Sequence, residues 1–129
     1  MTASGEIAVV LADDPAVRRL NRDWRHKDSA TNVLAFPSNL SPHGAGSPLG
    51  DIVIAYETTA REARAERKPF AHHVLHLAVH GFLHLVGYDH QTDDQAVTME
   101  KLEVVILSRL AVPNPYAPRG RRPVRTRQQ

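Results

Sequence analysis

The 129-residue chain has no cysteine, which excludes disulfides and thiolate metal sites and fits a reducing compartment. Nor has it a long hydrophobic run. Ile7 to Leu11 is too short for a signal or a membrane span, and the Met-Thr-Ala-Ser-Gly-Glu before it lacks a basic leader region. A cytoplasmic protein without a membrane partner is expected. Internal repeats are absent too, and the length suits one domain with a single core.

Charge is unevenly spread. The formal net charge is +2, yet residues 1–118 carry 11 basic and 14 acidic side chains, and the five arginines from Arg119 onward meet no acid. Residues 1–116 are therefore expected to form the domain. Residues 117–129, rich in proline and arginine with almost nothing to bury, are expected to be a disordered tail. Such an arm suits a nucleic-acid or ribosome contact through phosphate attraction, or simply a solubilising end.

What the chain does have is histidine, eight in all, three of them in the stretch from His80 to His90. On a helix His80 and His84 project from one face a turn apart. Gly87 can stop that helix in a left-handed conformation, and the turn Gly87-Tyr88-Asp89 can swing His90 back toward the pair. Three neutral imidazoles suit a single zinc-like ion, and three protein ligands leave a fourth position for water or substrate. The same spacing occurs in metzincin peptidases, which carry a glutamate after the first histidine as general base. Here that position is Gly81, so a different hydrolytic chemistry is indicated.

The competing reading is a buried helix with histidines merely hydrogen-bonded in its core, because Leu75, Leu77, Ala78, Val79, Phe82, Leu83, Leu85 and Val86 make the helix apolar nearly all round. His72, His76, His80 and His84 form a continuous i, i+4 series, but only the His80/His84 pair has the turn that returns a third ligand. His73 and His76 read as hydrogen-bonded core groups or supports of a ligand, with a substrate contact as the alternative. Gly81 within a helix costs about 1 kcal/mol relative to alanine, which indicates close approach of another backbone or of substrate.

The remaining elements follow in order. Ile7 to Leu11 reads as a buried strand. Asp13-Asp14-Pro15 opens a helix with apolar Val17, Leu20 and Trp24 on one side and Arg18, Arg19, Arg22 and Arg25 on the other. The first three arginines read as a solvated surface; Arg25 differs because it stands at the helix exit, before the strand Thr31 to Pro37. Pro37 to Gly50 reads as a loop that either covers a site or is a disordered excursion. Gly50 to Ala55 is a third strand and Glu57 to Lys68 a surface helix. Pro69 begins the histidine helix. Thr92 and Gln95 form a capping box before a last helix, whose apolar face is read as Val97, Leu102, Val105, Ile106 and Leu110.

Three blocks together resemble the YbeY family of metal-dependent endoribonucleases. They are Leu20-Asn21 to Trp24-Arg25 with Lys27-Asp28 and Thr31 to Pro37; Leu49 to Ile54; and His80-Gly81-x-Leu83-His84-Leu85-x-Gly87-Tyr88-Asp89-His90 with Met99-Glu100 and Glu103. The resemblance covers about residues 7–116. It implies an α+β fold with a small mixed sheet, a zincin-like site with one Zn2+ on His80, His84 and His90, and an important arginine at Arg25. It further implies single-stranded RNA as substrate, maturation of the small-subunit ribosomal RNA 3′ end, and action on the ribosome or its small subunit. Members usually carry a strand and a helix ahead of the strand that here begins at Ile7, and these are expected to be absent.

The mechanism expected is metal-assisted phosphodiester hydrolysis, with Arg25 on the phosphate. Asp89 is a candidate base, though it also reads as a turn cap or a partner for a ligand imidazole. The alternatives are a non-catalytic, metal-containing ribosome-assembly factor and a zinc peptidase, the latter disfavoured by Gly81.

Overall fold

The computed structural model describes residues 7–37 and 50–117. Most of the loop expected from Pro37 to Gly50, and nearly all of the tail expected over 117–129, lie outside the described residues. The elements run β1 (Ile7–Ala12), α1 (Asp14–Arg25), β2 (Val33–Pro37), β3 (Gly50–Ala55), α2 (Tyr56–Ala65), α3 (Phe70–Leu85) and α4 (Asp93–Arg109). The fold is thus α+β, a three-stranded mixed sheet with four helices among the described residues. No helix of the described residues is long and apolar enough to cross a membrane.

β3 is the centre of the sheet, parallel to β1 on one side and antiparallel to β2 on the other. All six of its residues are buried because both of its faces are covered. Strand alternation sends Val53 and Ala55 to one side, where they pack with Leu34, Phe36 and Val17 of α1. Ile52 and Ile54 go to the other side and meet Leu77 of α3. α3 is itself covered by α4 through Val79, Leu83, Met99 and Leu107.

The expectation of a buried strand over Ile7 to Leu11 is corrected. β1 is an edge strand, and Val9 and Leu11 are 45% and 48% exposed. A short apolar run does not reveal whether its second face has a cover, and among the described residues this one has none. α1 likewise buries Val17 and Asn21 while Trp24 is half exposed, because the Asn21 side chain turns inward to donate to the Ser29 carbonyl at 3.0 Å.

The apolar face assigned to the last helix holds at Leu102 and Ile106, which pack against the core, and fails at its other three residues. α4 buries Met99, Glu103 and Leu107, an i, i+4, i+8 row, and leaves Val97, Val105 and Leu110 exposed. A glutamate on the inner row is what sets this rotation. The capping box at Thr92 and Gln95 is present as expected. α2 has no side-chain cap of its own; Asp14 of α1 accepts instead from the Thr58 backbone at 3.0 Å and hydroxyl at 2.7 Å.

Two glycines position the site. Gly81 lies on Ile52, whose side-chain atoms would stand 3.1–3.2 Å from a Cβ there, so α3 crosses the sheet at close range. The close approach expected at Gly81 is therefore to a side chain of β3. Gly50 has φ +137°, and an added Cβ would lie 2.2 Å from the Phe36 carbonyl oxygen.

Candidate active site

α3 carries His80 and His84 to the place where it passes over β2. The helix ends as the glycine predicts: Gly87 takes φ 108°, and the amides of Gly87 and Tyr88 donate to the carbonyls of His84 and Leu83 at 3.1 and 2.9 Å. The chain then doubles back. His90 comes to rest with its ring centroid 5.3 Å from that of His80 and 5.0 Å from that of His84, the latter two being 4.7 Å apart. One ring nitrogen from each of the three lies within 4.8 Å of the others, a group able to hold a metal ion.

The donors are prepared for that task. Burial, followed by the neighbouring His80 and His90 rings, pushes the His84 imidazole below its ordinary pKa, which favours the neutral form a metal needs. His80 is oriented from behind: its Nδ1 lies 2.6 Å from Glu103 Oε2. Glu103 is 1% exposed and is reached by three groups, His80, His76 Nε2 at 2.9 Å and the Tyr116 hydroxyl. Burial alone would raise its pKa, but the hydrogen bonds from His76, His80 and Tyr116 outweigh that and hold it at about 2. An ionised carboxylate only accepts, so the ring nitrogens facing it carry the protons. His80 Nε2 is then the lone-pair nitrogen left for a ligand. Tyr116 is driven well above its usual range, first by burial and then by the Glu103 hydrogen bond, and stays a donor.

Sequence reasoning quoted Glu103 only within a family block and gave no role to Tyr116. The signal for Glu103 was present, since a carboxylate four residues from Met99 and four from Leu107 sits in an otherwise apolar row. Tyr116 had none, because its reach to Glu103 depends on the course of the chain after α4. Of the other histidines, His76 supports His80 through Glu103, and His73, 4% exposed, pairs with Glu62 of α2 at 2.8 Å.

The triad opens on a cleft of about 640 Å³ that Arg25, Lys27, Asn32 and Asp89 also line. Arg25 is placed there by the end of α1. His26 turns left-handed at φ 61°, its amide bonding to the Arg22 carbonyl, and the Lys27 amide bonds to Asn21. Arg25 and Lys27 form no ion pair among the described residues. Asp89 Oδ1 accepts from the amide of the adjacent His90 at 2.8 Å.

The family model described as endoribonuclease YbeY matches residues 1–111 of the chain. A protein of Rhodopseudomonas palustris (strain BisA53) named endoribonuclease YbeY is 59% identical over 124 residues, covering 93% of this chain and 72% of that protein. One of the same name from Nitrobacter hamburgensis is 56% identical over 126 residues, covering 93% and 66% respectively. The chain spans about two thirds of the length of the curated relatives it matches. Among solved structures, the solution structure of TM1509 from Thermotoga maritima is similar with a TM-score of 0.51 and 25% identity, over 90% of this chain and 78% of that one.

Proposed function

The chain belongs to the endoribonuclease YbeY family, and on that premise we propose that it is a zinc-dependent, single-strand-specific endoribonuclease. Its substrate in this reading is ribosomal RNA, its task the maturation of the small-subunit 3′ end within ribosome biogenesis and quality control. The observation that carries the reading is one cleft holding three convergent imidazoles and two cations, Arg25 and Lys27, that form no ion pair among the described residues. A phosphodiester needs that combination, an electrophile on one oxygen and a donor on another.

His80, His84 and His90 are the ligands in this reading. A zinc ion held by them would polarise a phosphate oxygen and acidify a bound water. The protein does the rest. The Glu103 carboxylate fixes the His80 ring so that Nε2 points one way only. Arg25, at the mouth of the same cleft, pairs through its guanidinium fork with the oxygens on which negative charge grows. Asp89 spends one carboxylate oxygen on the His90 amide. Its other oxygen forms no hydrogen bond among the described residues and is the candidate acceptor for the proton of the attacking oxygen. Gly81 keeps α3 against Ile52 and, having no side chain, supplies no carboxylate from the position after His80.

The test is zinc-loaded protein incubated with single-stranded RNA ending in the small-subunit 3′ sequence, alongside a His80→Ala/His84→Ala double variant. Cleavage by the unaltered protein alone is expected. Equal cleavage by both, or none by folded, metal-loaded protein, would overturn the reading in favour of a non-catalytic assembly factor.

A further inference from the structure

α1 carries its cations as a stripe. Arg18, Arg22 and Arg25 recur at i, i+4 and i+7, and Arg19 lies three before Arg22, so four guanidinium groups share one side of the helix over about 10 Å. A solvated surface explains such a stripe equally well from the sequence. The structure adds a shape and a connection.

Arg18, Arg19 and Arg22 line a depression of about 550 Å³ beside Asp28 and Ala30. Ala30 also lines the histidine cleft, with Arg25 and Lys27 beside it, so the two concavities meet there. The carboxylates nearby do not cancel this charge. Asp14 is paired with Arg61 of α2 at 3.4 Å and held by Thr58. The Arg18–Asp28 and Arg22–Asp23 pairs, at 2.8 and 2.9 Å, are about half exposed on both sides. Exposed pairs of this kind are weak and exchange readily for a better acceptor. Arg19 has no ion pair among the described residues.

We propose that this depression is a docking site for the phosphate backbone of single-stranded RNA flanking the cleavage point. The strand passes from the histidine cleft over Ala30 and onto the arginine side of α1. The proposal rests on the ribonuclease reading and extends it from the reacting phosphate to its neighbours. Because guanidinium groups on a helix surface grip phosphates and not base edges, the site tolerates any sequence and acts through substrate length.

The full chain, with its metal chelated to prevent turnover, is titrated against fluorescent oligouridylates of 4 and 12 nucleotides at several salt concentrations. A variant combining Arg18→Gln, Arg19→Gln and Arg22→Gln is titrated in parallel, and its fold is checked by thermal melting. A contact to a single-stranded phosphate contributes a slope of about 0.7 in log K against log salt, so three contacts contribute about 2. The variant is expected to lose that much slope on the 12-mer and to match the unaltered protein on the 4-mer. Any salt response from other arginines is common to both proteins and cancels. Equal slopes on the 12-mer, with binding by the unaltered protein intact, overturn the docking site alone. Unaltered protein that neither binds these RNAs nor cleaves RNA when zinc-loaded overturns the ribonuclease reading and the docking site with it. Should the triple variant melt early, the single Arg19→Glu variant decides, with weaker 12-mer binding expected and unchanged binding contrary to the proposal.

Discussion

Glu103 and His80 face each other across α4 and α3, carboxylate oxygen to Nδ1, at 2.6 Å. The carboxylate accepts from two histidines at once and a glutamine cannot, since its amide nitrogen would meet a ring N–H. Glu103→Gln is therefore expected to weaken zinc binding by about 10–100-fold, as read by competition with a chromophoric chelator. An unchanged affinity would separate Glu103 from the metal site.

Removing a ligand is a stronger change. His84→Ala should abolish stoichiometric zinc binding. It should also abolish the rise in melting temperature that zinc gives the unaltered protein, about 2.7 kcal/mol of stabilisation when the free ion is at 100 times its dissociation constant. A full zinc-dependent shift in the variant would mean that the ion is held elsewhere.

Arg25 tests the chemistry without touching the metal. Arg25→Ala is expected to lower kcat by about 10²–10³-fold while zinc stoichiometry stays at that of the unaltered protein. Arg25→Lys should recover only part of the loss, because a point charge replaces a fork. Wild-type turnover in Arg25→Ala would remove it from the mechanism.

Gly50 tests the join between β2 and β3. Alanine there would suffer both a positive φ and a Cβ pressed on the Phe36 carbonyl oxygen, so Gly50→Ala should cost about 2–4 kcal/mol. Urea denaturation measures this directly, and a loss under about 1 kcal/mol would show that the strands can part there cheaply.

Acid stability reports on Asp14. Burial would raise its carboxyl, but the Thr58 and Arg61 hydrogen bonds prevail and hold it below its ordinary 3.8. A depressed folded-state pKa means that the stabilisation is complete above that ordinary value and lost as pH falls through the folded one. Asp14→Asn should be less stable at neutral pH and converge with the unaltered protein in strong acid. Parallel stability curves down to pH 2 would assign the acid limb to other groups.

What could be read from the sequence was what is local. The His80/His84 pair, the glycine stop and the return of His90 all lie within eleven residues, and turn chemistry alone decides them. The capping box at Thr92 and the acidic start of α1 were legible for the same reason. Where two distant elements meet, legibility ended. Trp24 and Val105 look like core residues in isolation, and each is turned outward by a polar neighbour, Asn21 or Glu103, whose partner lies elsewhere in the chain. Val9 and Leu11 satisfy the pattern of a buried strand, but burial needs a cover, and a cover is a property of tertiary packing.

The parallel pairing of β1 with β3 also governs the order in which the molecule comes together. A parallel pair cannot be closed by a tight turn, so Ile7 reaches Gly50 only after α1, β2 and the intervening chain have been accommodated. β2 meets β3 across a much shorter span and with α3 already available to cover both. β1 is thus expected to be the last strand to dock and the first to leave. Native-state hydrogen exchange should find the Val10 and Leu11 amides opening at lower free energy than those of Ile52 and Val53.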